Sequence, residues 1–299
     1  MFTVSRFSRL ILTLAGVATF ALSQARAEQK LPNILWITSE DNGAHLGCYG
    51  DTYATSPNID RLAKRSLRYT NASSTAPVCA PARTTIISGI YPPATGAEHM
   101  RSMTRLPKGF KMYPAYLREL GYYCTNNSKT DYNIDHNIRE IWDESSNKAH
   151  YRKRKDGQPF FAIFNQTCTH ESRIRGRNAK TSHDPARVQV PPYHPDTPVI
   201  RENWSRYFDN LFLMDKWVGD KLRELEELGE ADNTIVFYYA DHGGALVSSE
   251  IVTNILADNF AELIDMRSHH LGLAAKVLLF PAREIVLQSR NNFAGRQAE

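Results

Sequence analysis

Three short apolar runs constrain the fold of this 299-residue chain more than any other feature. They are NILWITSED at 33–41, PFFAIFNQTCTH at 159–170 and NTIVFYYADHGG at 233–244. Near-continuous runs of β-branched and aromatic residues are typical of parallel strands that are covered on both faces. Helical patterns separate the runs, including a long amphipathic segment at 203–229. The alternation predicts an α/β fold, with a doubly wound, mostly parallel sheet and helices on both faces.

Helix ends are marked by residues with capping chemistry. Ser56 is a candidate N-cap, and Pro57 stands in the first turn of the helix that would follow it. Gly121 and Gly229 each follow an amphipathic segment and are candidates for the left-handed residue that ends a helix. These four positions predict where three helices begin or end.

The first 27 residues have the composition of an export signal. Arg6 and Arg9 precede the apolar run at 10–22, which is too short for a helix that spans a bilayer. ARA at 25–27 has the small-x-small form of a cleavage site. We expect recognition by the export machinery, cleavage after Ala27 and a periplasmic or secreted mature protein. A retained membrane anchor is the alternative.

The net charge argues against a nucleic-acid-binding protein, and the cysteine spacing argues against a fold built on disulfides. The formal net charge is +4, and three of the positive charges lie in the export signal, so the remainder carries only +1. A nucleic-acid partner would need a concentrated basic face, and we expect none. The chain has four cysteines, and their spacing does not indicate a disulfide framework.

Acids and histidines follow all three predicted strands. Glu40–Asp41 follow the first, His170 the second and Asp241–His242 the third. Ligands of doubly wound sheets bind beyond the carboxyl ends of the strands. Taken alone, each of these pairs is more often a solvated or capping pair. Carboxylates from two pairs that lie close together, however, repel one another unless a cation lies between them. Three carboxylates and an imidazole predict a Ca²⁺ or Mg²⁺ site in an enzyme.

The segment CAPARTTIISG at 79–89 matches the C-x-P-x-R signature of the sulfatases, and the chain is identified by it as resembling that family. Segments 32–50 and 233–244 resemble the family's first and second metal-binding segments. Segment 56–72 resembles the helix and strand that follow the first metal-binding segment. THESRI, within 169–174, is similar to the heparan N-sulfatase or N-sulfoglucosamine sulfohydrolase branch. The resemblance implies an alkaline-phosphatase/sulfatase-like fold.

The resemblance also implies a modified residue and a metal. Cys79 would be oxidised to formylglycine (3-oxoalanine) by a separate maturing enzyme, whether formylglycine-generating or anaerobic. One hydroxyl of the hydrated aldehyde would attack sulfur and the other would later expel sulfate. The implied metal ligands are Glu40, Asp41, Asp241, His242 and the modified Cys79. Ca²⁺ is the expected ion, with Mg²⁺ as the alternative.

The resemblance also implies roles for further residues, at positions that match those of the family's site residues. Arg83 would stabilise the charge of the hydrate, and Lys129 would bind sulfate oxygens. His170 matches the family histidine near the leaving oxygen and would act as general acid. His99 and Arg101 are candidate contacts to a sulfated carbohydrate substrate.

The sequence departs from the family pattern at several places. Glu40 stands where aspartate is more common, Ala82 replaces a frequent serine, and Asp131 replaces a histidine. After Gly244 the basic stretch of the family is missing, so we predict a signal peptide at 1–27, an N-terminal catalytic domain at 28–244 and a divergent tail at 245–299. A frameshifted or truncated gene is the expected cause, and a natural short variant is the alternative.

Three functions are compatible with these residues. The first is a sulfatase that cleaves sulfate esters or sulfamates of carbohydrate. The second is a phosphodiesterase or phosphonate hydrolase of the same superfamily, because phosphate and sulfate are similar tetrahedral anions. The third is an inactive remnant that binds metal or carbohydrate without turnover.

Overall fold

A computed structural model of the protein describes residues 30–174, 180–244 and 255–257, and from Pro32 onward they belong to one compact unit. Seven strands form one sheet. They are β1 (Asn33–Ser39), β2 (Leu67–Arg68), β3 (Tyr123–Asn127), β4 (Glu144–Ser145), β5 (Phe160–Asn165), β6 (Thr234–Ala240) and β7 (Ile255–Ala257). Their spatial order is β2-β7-β6-β1-β5-β3-β4.

The described α-helices connect or cover these strands. They are α1 (Pro57–Lys64), α2 (Cys79–Ser88), α3 (Pro92–Thr95), α4 (Tyr113–Glu119), α5 (Ile138–Ile141) and α6 (Pro198–Glu227). Short 3₁₀ turns occur at Gly47–Tyr49, Tyr151–Lys153, Glu171–Arg173, Pro185–Arg187 and Ala231–Asn233. None of the described helices combines the length and the apolar character that crossing a bilayer requires.

Most strand pairs of the sheet are parallel. β1 pairs in parallel with β5 and β6, and β3 pairs in parallel with β4 and β5. Only β7 runs antiparallel, next to β6 and β2, among the strands that the structure describes. The predicted doubly wound, mostly parallel α/β fold is therefore confirmed.

The central strands β1, β5 and β6 are buried on both faces, which explains their near-continuous apolar runs. On one face Leu35 and Ile37 join a core cluster that includes many side chains of α6. On the other face the ring of Trp36 packs 5.3 Å from those of Tyr113 in α4 and Tyr239 in β6. Each fully buried large apolar side chain contributes about 1.5–3 kcal/mol relative to an exposed one, so the core favours this layering.

The beginning of α1 differs from the sequence-based prediction. Ser56 occupies the N-cap position, but its side chain makes no capping hydrogen bond. Its hydroxyl instead donates to Asp60 at 3.0 Å and accepts from the N–H of Gly47 at 2.9 Å. The carboxylate of Asp215 from α6 accepts the N–H groups of Asn58 and Ile59. A negative group from a distant helix therefore satisfies the free donors at this helix end.

The helix ends agree with the glycine positions. Gly121 and Gly229 have φ angles of 92° and 67°, a region that L-residues with a Cβ adopt with strain. The long helix begins at Pro198, before its predicted start, since Thr197 caps it with a hydrogen bond from Ile200 N–H. The predicted export signal at 1–27 lies outside the described residues. So does the predicted tail at 245–299, apart from the backbone of β7.

Candidate active site

The carboxyl ends of β1 and β6, each followed by acidic residues, lie side by side. β1 and β6 are paired up to Ser39 and Ala240, and the N–H of Asp241 donates to Ser39 O at 3.1 Å. The residues that follow are buried, with exposed fractions of 1% for Glu40 and 2% for Asp241. Asp41 adopts a left-handed φ of 49°, so the chain turns sharply there after the strand. The adjacent carboxylates of this turn consequently enter one cluster.

Cys79 reaches this cluster from the first residue of α2. Its Sγ lies 3.3 Å from Nε2 of His242. Ligand atoms of Cys79, Asp241 and His242 lie within 4.8 Å of one another, and the same limit holds for Cys79, Asp41 and His170. The structure thus brings the predicted nucleophile together with the ends of β1 and β6 and the loop after β5.

Arg83 lies one helical turn after Cys79 and is almost fully buried. Its Nε donates to Asp241 Oδ2 at 3.1 Å, and one Nη donates to Glu40 Oε1 at 3.2 Å. The other Nη donates to Asn165 Oδ1 at 2.9 Å. Burial opposes the charged form, but the carboxylates of Asp241 and Glu40 outweigh it and raise the pKa of Arg83 above its usual value. The guanidinium is therefore a fixed positive charge at the site.

Lys129 adds a second cation. Its Nζ lies 2.5 Å from Glu40 Oε1 and 3.8 Å from Asp131 Oδ2. Burial and the nearby Arg83 disfavour the ammonium, but Glu40 raises the pKa of Lys129 above its usual value. Asp131 therefore lies beside the lysine as a half-buried acid.

His242 and Asp41 form a buried ion pair. Nε2 of His242 lies 2.9 Å from Asp41 Oδ1 and 3.7 Å from Asp241 Oδ1. Burial lowers the pKa of His242, but the bonds to Asp41 and Cys79 and the charge of Asp241 raise it to about 10. Burial likewise opposes ionisation of Asp41, yet His242 and the N–H of Glu171 at 2.8 Å hold its pKa below the usual value.

The chemistry of this donor set fits a divalent cation. Asp41 and Asp241 supply hard carboxylate oxygens, and His242 supplies a ring nitrogen in the same cluster. Like-charged carboxylates held this close require positive charge between them. Glu40 stands apart from both ligand groups, since its carboxylate contacts Arg83 and Lys129 instead.

His170 faces the cluster from the loop after β5. Its Nε2 lies 3.8 Å from Asp41 Oδ2. The backbone N–H of Ser172 donates to its Nδ1 at 3.2 Å, so in the neutral ring the proton resides on Nε2. In that form His170 presents its Nε2–H to the site as a hydrogen-bond donor.

His99 and Arg101 lie apart from this cluster. Both are exposed, and within the described part of the chain no hydrogen bond or ion pair joins either side chain to the site. Asn133 holds their loop, since its Oδ1 accepts from Arg101 N–H at 2.7 Å. The N–H of Asn133 in turn donates to Thr84 of α2 at 2.8 Å. The loop is thus tied to the helix of Cys79, and substrate contact by His99 and Arg101 stays a prediction.

Asn165 is a site residue that sequence reasoning missed. It ends β5, contacts Arg83 and lines a small cavity that Arg83, Lys129 and Asp241 also line. The one signal was its position as the first polar residue after an apolar run. Many strands end in this way without function, so the pattern alone did not single it out.

The fold and this cluster define a class of protein. The mostly parallel sheet with helices on both faces is the alkaline-phosphatase/sulfatase-like fold that the resemblance implied. The sulfatase family model matches residues 32–163 and 144–267, and the chain belongs to the sulfatase family. The match continues past Gly244, where the resemblance drawn from motifs ended.

Individual relatives agree with the family match. An ulvan-active sulfatase of Formosa agariphila is 38% identical over 263 residues, covering 72% of this chain and 44% of the relative. Human N-sulphoglucosamine sulphohydrolase is 24% identical over 262 residues, covering 71% and 50%, which confirms the predicted likeness to that branch. A solved 2-O GAG sulfatase shares the fold, with a TM-score of 0.58, 19% identity and coverage of 76% and 64%. The chain spans about half the length of these two curated relatives.

Proposed function

We propose that this protein hydrolyses sulfate esters or sulfamates of a carbohydrate. The observation that carries the proposal is the position of Cys79, whose Sγ lies 3.3 Å from His242 Nε2 within a buried group of carboxylates. The names of the relatives, an ulvan-active sulfatase and an N-sulphoglucosamine sulphohydrolase, support a sulfated carbohydrate as substrate.

In the proposed reaction a maturing enzyme first converts Cys79 to formylglycine. The hydrate of this group supplies one hydroxyl to attack sulfur and a second to release sulfate afterwards. Cys79 begins α2, so the free N–H groups of that helix end favour negative charge there. The guanidinium of Arg83, one turn later, adds a full positive charge.

A divalent cation completes the proposed site. Asp41, Asp241, His242 and the modified Cys79 would hold it. Glu40, the fifth ligand predicted from the sequence, contacts Arg83 and Lys129 instead. Ca²⁺ is our proposal and Mg²⁺ the alternative; either ion would polarise a sulfate oxygen when bound.

The remaining polar residues have separate tasks. Lys129 is half-buried and lines the cavity beside Arg83, where it would bind sulfate oxygens as a point charge. His170 in its charged form would donate the proton on Nε2, which faces the site 3.8 Å from Asp41 Oδ2, to the leaving oxygen or nitrogen. His99 and Arg101 would contact the sugar from the loop that Asn133 ties to α2.

We also propose that the protein acts outside the cytoplasm. The support is the basic and apolar pattern of residues 1–27, which ends in ARA. Sequencing the N-terminus of the exported protein tests this, since cleavage after Ala27 would leave Glu28 first.

One experiment tests the catalytic proposal. The full chain is produced together with a formylglycine-generating enzyme, and the peptide that contains Cys79 is weighed by mass spectrometry. The protein is then assayed on ulvan oligosaccharides, N-sulfoglucosamine and 4-nitrophenyl sulfate, after chelation and after Ca²⁺ is restored. We expect a lighter peptide and metal-dependent release of sulfate, and a Cys79→Ala control should release none.

Other outcomes would select the alternatives. Cleavage of a phosphodiester or phosphonate monoester probe, with all sulfated probes untouched, would identify the superfamily's phosphorus chemistry instead. Ca²⁺ binding without turnover of any probe would indicate an inactive remnant. An unmodified thiol at Cys79 in active protein would contradict the formylglycine mechanism.

A further inference from the structure

We propose that Asn165 is a positioning residue for the sulfatase reaction, because its side-chain carbonyl holds the guanidinium of Arg83 in place. The inference rests on the proposed function and adds to it a residue outside the C-x-P-x-R signature and both acid pairs. It is carried by the contacts of Arg83 and by those of Asn165 itself.

Arg83 is held by three adjacent strand ends. β6, β1 and β5 are neighbours in the sheet, and the guanidinium contacts one residue from the end of each. Two of these contacts, Asp241 and Glu40, are carboxylates, and Asp241 also belongs to a ligand group of the proposed metal. Asn165 is the one neutral contact among them. It therefore fixes the third edge of the guanidinium without adding negative charge to a site for an anion.

The orientation of the Asn165 amide follows from its neighbours. Its Oδ1 accepts from Thr38 Oγ1 at 2.8 Å as well as from Arg83. Its Nδ2 donates to Asn126 Oδ1 at 3.0 Å and to the backbone oxygen of Asn127 at 3.2 Å. A backbone oxygen can only accept and a guanidinium can only donate, so the reverse orientation is excluded. The amide is therefore held from both sides before any substrate binds.

The charge of the side chain at position 165 matters because this side chain lines the cavity in which sulfate oxygens would bind. Asn165 lines it together with Arg83, Lys129 and Asn126. A carboxylate here would still accept from Arg83, but it would face the oxygen of Asn127 and repel a sulfate group. An alanine would instead remove the acceptor and leave the guanidinium free to shift. The two substitutions therefore affect different steps of the reaction.

The test compares Asn165→Ala, Asn165→Asp and Thr38→Val in the matured full chain. The substrate is 4-nitrophenyl sulfate or whichever sulfated saccharide the wild type cleaves fastest. We expect Asn165→Ala to lower kcat by about 10–100-fold with KM within about threefold, because a hydrogen bond to a charged group is lost. Asn165→Asp should mainly raise KM. Thr38→Val removes a neutral donor to the same oxygen and leaves the bond to Arg83 in place, so it should keep both constants within about threefold.

Two kinetic results would overturn the proposal. One is a wild-type kcat in Asn165→Ala. The other is an equal loss of kcat in Asn165→Ala and Thr38→Val, since this would indicate a merely structural residue.

A second measurement works without turnover. In ¹⁵N NMR spectra with labelled arginine, the held guanidinium of Arg83 should give separate Nη signals, assigned with Arg83→Lys. These signals should merge in Asn165→Ala and remain separate in Thr38→Val. If no sulfated probe is cleaved by the wild type, the proposed function fails, yet these spectra still decide whether Asn165 holds Arg83. Identical Nη signals in wild type and Asn165→Ala would refute that role.

Discussion

Sγ of Cys79 lies 3.3 Å from Nε2 of His242, although the two residues are 163 positions apart in the chain. One begins a helix and the other follows the strand β6, and the pairing of β6 with β1 also brings Asp41 within 2.9 Å of the same histidine nitrogen. A thiol among buried carboxylates has no packing advantage over an apolar residue. The proposed formylglycine mechanism depends on this relationship.

Removal of a carboxylate from the cluster should weaken binding of the proposed divalent cation. We expect Asp241→Ala to weaken Ca²⁺ binding by more than the roughly 10–100-fold that an outer-shell change costs, because a ligand itself is lost. Isothermal titration calorimetry with Ca²⁺ measures this. Asp196→Ala, which removes an exposed carboxylate, is the matched control and should bind as the wild type does. Unchanged Ca²⁺ affinity in Asp241→Ala would refute the ligand set.

The carboxylate of Asp241 should also stabilise the folded state through its ion pair with Arg83. Removing one partner of a buried pair costs about 3–5 kcal/mol, whereas an exposed pair contributes about 0–1 kcal/mol. The side chains of Asp241 and Arg83 are 1% and 7% exposed, against 56% and 29% for Asp196 and Arg201. Urea unfolding of Asp241→Asn and Asp196→Asn, both without metal, should therefore differ by several kcal/mol. Equal midpoints and slopes would contradict a buried pair.

Gly219 in α6 should resist replacement by alanine. Alanine ordinarily stabilises a helix interior by about 1 kcal/mol relative to glycine. Here an added Cβ would lie 2.5 Å from side-chain atoms of Asn58. Asn58 cannot easily move, because Asp215 and Arg61 hold its amide at 2.8 Å each. We expect Gly219→Ala to destabilise by about 1–3 kcal/mol, measured by urea unfolding.

A double variant tests the cause of that destabilisation. Asn58→Ala removes the obstructing side chain, so Asn58→Ala with Gly219→Ala should cost clearly less than the two single changes added together. Additive costs would show that the clash with Asn58 is not the reason.

Acid should destabilise the packing of His45. Its ring packs 5.3 Å from that of Trp204 and 5.4 Å from that of Tyr207. Burial lowers the pKa of His45 below 6.5, and the opposing charge of Asp51 does not compensate. The folded state thus binds the proton less readily than the unfolded chain. This contribution to stability is complete above about pH 6.5 and is lost as the pH falls through the folded pKa.

His45→Phe isolates this effect from other titrating groups. The melting temperature of the wild type should fall more than that of His45→Phe when the pH is lowered from 7.5 to 5.5. Differential scanning calorimetry at both pH values measures the difference. Parallel curves for the two proteins would count against a buried neutral His45.

The core of the sheet should be sensitive to truncation. Leu35 is fully buried and belongs to the cluster beneath α6, whereas Leu213 of α6 is 55% exposed. Leu35→Ala should cost about 2–5 kcal/mol, because it leaves a cavity, and Leu213→Ala within about 0.5 kcal/mol of zero. Unfolding in urea compares them. Similar costs at the two positions would contradict the assigned faces of β1 and α6.

The fold class and most of the site could be predicted from the sequence for local reasons. Apolar runs that end in acids or histidine indicate buried parallel strands, and parallel strands place their carboxyl ends at one edge. The acid pairs and His170 were therefore identified before any contact was known, whereas Cys79 and Arg83 were identified through the resemblance to the C-x-P-x-R signature. His99 and Arg101 had no such support, because an exposed loop has neither a periodic pattern nor a register that fixes its side chains.

The tertiary structure alone decided which group contacts which. Asp215 caps α1 in place of Ser56, Glu40 faces two cations, and Asn165 holds Arg83, although nothing local to these residues indicates their partners. Each of these contacts joins residues from distant parts of the chain, and it depends on strand order, register and the packing of helices. The sequence by itself determined the strands, the helix ends and the chemistry available at the sheet edge. Which of these polar groups contact one another was decided only by the folded chain, because the energy of a buried charge depends on the neighbours that surround it.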